Sequence, residues 1–242
     1  IDQVEMMRIV ERLRGDAVVV PAMRANVGWA EVSNNVTRDV PASGAMGKTA
    51  SFGLGVALAR PGTKVIVFDG DGSLLMNLGS LVTAANKAPK NFYHFVMDNG
   101  VYATTGGQEV PGAGTTDYAE MGRAAGYACT YQFDDLEDFA TQAEEIMNQE
   151  GPVLIACKVV PDIRLPEDRA AGRGAPADAR DASKPHPHQR GRLHPARQPP
   201  DRPILRGDPG NVGTLNGQLQ CLSARGEPQK TRLKAELGQP VQ

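Results

Sequence analysis

The chain has 242 residues, a formal net charge of −2 and three scattered cysteines, Cys129, Cys157 and Cys221. That balance offers no basic surface for nucleic acid or an anionic membrane, no apolar run long enough to span a bilayer, and too few cysteines for a disulfide framework or an iron–sulfur cluster. No signal peptide opens the sequence, which reads as cytoplasmic, and a first residue of Ile1 instead of Met points to a fragment or an unusual start.

Every Phe, Tyr and Trp lies at or before Phe139. The expected domain is therefore residues 1–163, ample for a sizeable core. Val4, Met7, Ile9, Val10 and Leu13 recur near helical spacing across Ile1–Arg14, with Gly15 as a stop. Asp16–Val20 reads as a strand ended by Pro21, Asn26–Val32 as a short helix around Trp29, and Ser33–Ser43 as a loop. Met46–Ala59 reads as a helix rich in small residues and closed by Pro61-Gly62. Its Gly53-Leu54-Gly55 follows no strand and lacks a third glycine in place, so it is not a dinucleotide fingerprint. Lys64–Phe68 is apolar and rich in β-branched residues, as a strand buried on both faces of a parallel sheet should be. It ends at Asp69-Gly70-Asp71-Gly72. Ser73 to about Lys87 reads as a helix and Asn91–Met97 as the next strand, with His94 mid-strand as a structural residue. After a glycine-rich loop, Gly100–Gln108, come a helix over Thr116–Ala125, a strand over Tyr127–Phe133 and a helix over Asp134–Gln149. Asp134 and Glu137 form a box-like start to that helix, and a last strand covers Pro152–Val160. The alternation predicts an α/β fold, a doubly wound and mainly parallel sheet with helices on both faces.

Two glycines around an acid, directly after a buried strand, let the backbone turn tightly and bring N–H groups near a ligand. A helix starting at Ser73 would point its N-terminus into the crevice where α/β sheets bind phosphates. Asp71 would repel a diphosphate there unless a cation stood between them. A carboxylate from Asp71 and an amide oxygen from Asn99 are hard ligands suited to Mg²⁺. The two lie 28 residues apart, the length of one strand–helix–strand crossover. Gly70-Asp71-Gly72 followed by Asp98-Asn99 resembles the diphosphate-binding motif of thiamine diphosphate-dependent enzymes. The resemblance implies that Asp71, Asn99 and the carbonyl of Val101 hold the metal, with Gly70, Gly72 and Ser73 around the diphosphate. Ser43-Gly44-Ala45-Met46-Gly47 is similar to the family's Gly-x-Met-Gly segment. By that likeness the Gly44 carbonyl accepts a hydrogen bond from the cofactor's 4′-amino group, and Met46 is the apolar wedge that keeps the two rings bent together. Thr105-Gly106-Gly107-Gln108 resembles the β subunits of sulfopyruvate decarboxylase and related phosphonopyruvate decarboxylase-like proteins. Thr105 and Gln108 then reach the diphosphate or a substrate's acidic tail, or else bond only within their own loop.

The resemblance implies a thiamine diphosphate-binding fold and a β-type subunit that holds thiamine diphosphate and Mg²⁺ for decarboxylation of a small 2-oxo acid. In the family the glutamate that activates the cofactor belongs to a separate pyrimidine-binding domain. The expectation is thus an α-type pyrimidine-binding partner subunit, a hetero-oligomer, and an isolated chain without activity. An acetolactate synthase-like carboligase fragment and a catalytically silent structural or regulatory subunit stand as alternatives. Beyond Arg164 the composition turns to Arg, Pro, Ala, Gly and Asp. Such a segment buries too little apolar surface to offset its ordering entropy, so residues 164–242 read as a disordered tail or as a gene translated in a shifted frame. His186, His188 and His194 in it lack a framework for a metal.

Overall fold

The computed structural model describes residues 1–163, Ala45 excepted; the expectations for 164–242 fall outside the described residues. In chain order the elements are α1 (Gln3–Leu13), β1 (Val18–Pro21), α2 (Arg24–Val32), a 3-10 turn at Val36–Arg38, α3 (Thr49–Ala59), β2 (Val65–Gly70), α4 (Asp71–Leu75) and α5 (Gly79–Lys87). There follow β3 (Phe92–Asp98), β4 (Val101–Tyr102), β5 (Gln108–Glu109), α6 (Tyr118–Ala125), β6 (Cys129–Phe133), α7 (Leu136–Met147) and β7 (Val153–Lys158). Five strands form one parallel sheet in the order β1-β2-β3-β7-β6. Because all run the same way, the ends of β1, β2 and β3 open on a single edge. Among the described residues, no helix is long and apolar enough to cross a membrane.

Side chains alternate across the strands and build two cores. Ile66, Phe68, Tyr93, Phe95 and Ile155 pack with Met6, Met7, Trp29, Phe139 and Ile146, from α1, α2 and α7. Val65, Val67, Phe92, Val96 and Leu154 pack with Leu54, Ala57, Leu74, Leu81, Ala84 and Tyr118, from α3 through α6. The first core is laced by aromatic contacts, Trp29 to Phe68 at 5.3 Å and Phe68 to Phe95 at 5.0 Å between ring centroids. A buried side chain of that size contributes roughly 1.5–3 kcal/mol.

Four local features differ from expectation. The helix expected over Ser73–Lys87 is two helices, because Met76, Asn77 and Ser80 donate to carbonyls three residues back at 3.2, 3.0 and 2.9 Å, tightening the chain between α4 and α5. Asn77 is drawn aside there, its amide donating to Ser51 Oγ at 3.2 Å. The cap of α7 is Asp135, not Asp134: its carboxylate accepts from the N–H groups of Glu137 and Asp138 at 2.8 and 3.0 Å. The glycine-rich loop turns back on itself, with β4 and β5 pairing as an antiparallel hairpin. The loop after α2 lies beside β1, where Val40 and Ala42 donate to the carbonyls of Val19 and Pro21 at 2.8 and 2.9 Å. Its anchor is Arg14, buried and paired with Asp39 at 2.9 Å and Glu11 at 3.3 Å.

Candidate active site

Where β1, β2 and β3 end, a cavity of about 370 Å³ opens, with Arg24, Met46, Asp71, Asn99, Tyr102 and Thr105 in its wall. Asp71 is its most constrained member, only 2% exposed. Its Oδ1 accepts from the Gly72 N–H and its Oδ2 from the Gly100 N–H, both at 2.7 Å. One carboxylate therefore ties the tip of β2 to the turn after β3. Burial pushes its pKa up to about 6; the two N–H groups pull it down, and neighbouring Asp98 adds to the rise. Asp98 is also raised, first by burial, with its hydrogen bond to Asp71 and the charge of Lys158 acting the other way. Two carboxyl groups in contact with little water around them are a demand for positive charge.

Asp71 and Asn99 share the cavity wall, as their crossover spacing requires; Val101 does not line it. Asn99 Oδ1 accepts from the Val101 N–H at 2.9 Å, and the Val101 carbonyl accepts from the Ala103 N–H at 3.0 Å. A buried, proton-hungry carboxylate beside an amide oxygen fits a hard divalent cation by donor chemistry. The phosphate argument, by contrast, loses its long helix. The five residues of α4 carry only a small dipole. The glycines also serve differently from the expectation of a tight turn. Gly70 has φ −87°. At Gly72 a Cβ would stand 2.5 Å from the Tyr102 ring and 3.0 Å from Val110, so glycine is required for close approach.

The second motif segment meets the first. The Gly47 N–H donates to Ser73 Oγ at 3.0 Å, and a Cβ at Gly47, where φ is +73°, would sit 3.1 Å from that of Met76. Met46, Gly70, Gly72 and Ser73 line the cavity; Gly44, exposed with φ +67°, does not. Thr105 lines it while its hydroxyl donates to Gln108 Oε1 at 2.9 Å; the Gln108 amide returns to the Thr105 carbonyl at 3.1 Å. His94 is fully buried, 3.2 Å from the Tyr127 hydroxyl and 3.8 Å from Asp69, away from the cavity wall. Sequence reasoning passed over Arg24, the sole basic residue among the described residues lining the cavity, which forms an ion pair with Asp162. The signal was its position, directly after β1 at the edge where α/β sheets bind ligands.

Residues 24–157 match the family described as thiamine pyrophosphate enzyme, C-terminal TPP binding domain. The chain belongs to that family. Phosphonopyruvate decarboxylase of Streptomyces hygroscopicus is 43% identical over 118 residues, which are 49% of this chain and 29% of that protein. Sulfopyruvate decarboxylase subunit beta of Methanothermobacter thermautotrophicus is 36% identical over 164 residues, covering 65% of this chain and 83% of the subunit. The corresponding subunit of Methanocaldococcus jannaschii is 40% identical over 118 residues, 49% of this chain and 62% of that one. The chain thus spans from under a third to most of the length of these relatives. Benzoylformate decarboxylase from Polynucleobacter necessarius has the same fold, with a TM-score of 0.56 at 20% identity over 67% of this chain and 33% of that one. This thiamine pyrophosphate-binding domain therefore presents Asp71, Asn99 and Met46 on one cavity wall at the strand tips.

Proposed function

We propose that this chain is the β-type subunit of a cytoplasmic 2-oxo acid decarboxylase of the sulfopyruvate and phosphonopyruvate kind. In this reading it binds thiamine diphosphate together with Mg²⁺. The observation that supports it most is that Asp71 and Asn99, from two crossover-linked strand tips, share one cavity with Met46. Asp71, already aligned by the Gly72 and Gly100 N–H groups, holds the metal with Asn99, and the Val101 carbonyl joins once it exchanges its bond to Ala103. Gly70, Gly72 and Ser73 lie along the diphosphate. Met46 props the cofactor's rings, Thr105 faces the diphosphate or the substrate, and the Gly44 carbonyl, outside the cavity wall before binding, turns inward to accept from the aminopyrimidine. When bound, the cofactor supplies a carbon nucleophile and an electron sink for the pair released with CO₂.

Among the described residues lining the cavity, Asp71 is the only acid, and in this reading it is committed to the metal. The carboxylate that would activate the cofactor is thus assigned to an α-type pyrimidine-binding partner, and the chain alone is inactive. Titration of the full chain with thiamine diphosphate by calorimetry, with and without Mg²⁺, tests the binding. Saturable binding that needs Mg²⁺ and is lost in Asp71→Ala is expected; metal-independent or absent binding overturns the reading. Co-purification from the native host, followed by assay against a panel of 2-oxo acids, tests the reaction and the partner.

A further inference from the structure

The described residues lining the cavity include two charged side chains, Asp71 at the tip of β2 and Arg24 just past β1. In the reading proposed above Asp71 belongs to the metal, and Arg24 has no task. The Arg24 side chain is 14% exposed and shares the wall with Ala22, Ala25 and Met97, surroundings in which a cation needs a counterion. That counterion comes from outside the cavity. Asp162, past the end of β7, pairs with Arg24, is 37% exposed and does not line the wall. The N–H groups of Val159 and Val160 are tied to the carbonyls of Asp98 and Ile1, each at 2.9 Å, and Asp162 lies two residues beyond that tether. Its carboxylate can turn out to water without breaking either bond, whereas Arg24 stays in the wall.

We propose that Arg24 sets substrate specificity by receiving a second acidic group of the 2-oxo acid, a sulfonate, phosphonate or carboxylate beyond the oxo carbon, in exchange for Asp162. This rests on the decarboxylase reading and adds to it the residue that selects the substrate's far end. A guanidinium presents a planar fork of donors that suits all three groups. Two other anions of the reaction suit Arg24 less well. The diphosphate meets its cation at Asp71 and Asn99, at the tips of β2 and β3, while Arg24 follows β1 at the edge of the sheet. The carboxylate beside the oxo group leaves as neutral CO₂, its C–C bond broken and the electron pair left behind on the former oxo carbon. A guanidinium bound there would stabilise the charge that the reaction has to remove, and so raise the barrier. An acidic group kept in the product holds its charge throughout, so Arg24 can bind it equally from substrate to transition state and use it to orient the reacting end.

The test is an NMR titration of the full chain, with and without saturating Mg²⁺ and thiamine diphosphate, using 3-sulfopropanoate and propanoate. Neither has an oxo group, so neither reacts, and they differ only in the second acid. The wild-type chain should bind 3-sulfopropanoate at least ten-fold more tightly than propanoate. Arg24→Gln should lose that preference and Arg24→Lys keep part of it, both with thiamine diphosphate affinity within two-fold of wild type. Asp162→Asn, at a partly exposed position, removes the competitor and should tighten 3-sulfopropanoate at least three-fold, an answer that does not need an Arg24 variant to fold. A wild-type chain without the preference, or a preference that survives Arg24→Gln, overturns the proposal. So does a ten-fold loss of thiamine diphosphate affinity in Arg24→Gln, which would assign Arg24 to the diphosphate. Failure of the decarboxylase reading looks different: the wild-type chain then binds no thiamine diphosphate, while an Arg24-dependent preference for 3-sulfopropanoate still supports the anion site.

Discussion

The two faces of the sheet are built from the same strands and serve different ends. On one, Trp29, Phe68, Phe95 and Phe139 interlock under α1, α2 and α7, and their side chains are closed off from solvent. On the other, smaller residues pack under α3–α6, and the cavity residues stand at element ends: Met46 before α3, Asp71 at the start of α4 and Asn99 after β3. The contrast teaches that stability and ligand binding are separable here: large apolar contacts hold the scaffold, and the buried carboxylate of the cavity, Asp71, sits at its edge.

The largest effect should break the first face. Phe68→Ala removes a ring in contact with Trp29 and Phe95 and should cost about 3–5 kcal/mol in chemical denaturation, while the fraction still folded keeps its affinity for thiamine diphosphate. Asp71→Ala should do the converse. In the proposed reading Asp71 is a buried charged ligand to the cation, so metal-dependent affinity should fall at least about a hundred-fold, with the circular dichroism unchanged. If both variants lose stability and affinity together, the separation is wrong.

A pH series sharpens the same point. The Asp71 pKa rises from 3.8 in the unfolded chain to about 6 in the fold. Its contribution to stability is therefore full below 3.8 and lost as the pH climbs through about 6. Without metal, the melting temperature should decline across that interval more steeply than in Asp71→Asn, which cannot ionise. Mg²⁺ favours the carboxylate, so the stabilisation it gives should grow across the same interval. A flat metal effect would detach Asp71 from the cation. Gly72→Ala should come next in size, about 1–3 kcal/mol from overpacking against Tyr102, together with weaker cofactor binding because Tyr102 lines the cavity.

Much of this was legible in the sequence, for identifiable reasons. Val65–Phe68 and Phe92–Met97 are short, apolar and rich in β-branched or aromatic residues, as buried strands should be, and the crossover between them fixes Asp71 and Asn99 on one edge. What escaped was set by contacts between distant segments. Nothing in Met76-Asn77-Leu78 forbids a helix; the break comes with the bond from Asn77 to Ser51, and Ser51 belongs to another element. Arg24 lies among apolar and small residues, and its place in the cavity wall appears only when β1 is seen to end beside β2. The Val101 carbonyl faces its own hairpin because β4 pairs with β5, a two-residue ladder too short to register as periodicity.

The smallest expected effect asks whether even a helix cap obeys the division between faces. Asp134 and Asp135 are adjacent, chemically identical and both exposed, so composition cannot choose between them. Geometry does: the Asp135 carboxylate meets the N–H groups of Glu137 and Asp138, two donors that the first turn of α7 leaves without helical partners. Asp135→Ala should cost about 1 kcal/mol, and Asp134→Ala should cost only a few tenths, within the usual range for a surface change. Because α7 carries Phe139 and Ile146 into the aromatic core, the Asp135→Ala loss should appear in the denaturation midpoint and leave thiamine diphosphate affinity untouched. Equal losses from the two variants would mean that α7 starts one residue earlier, where Asp134 takes over the capping bonds. A change in affinity would show that loosening the far side of the sheet reaches the strand tips, and scaffold and site would then have to be treated as one unit.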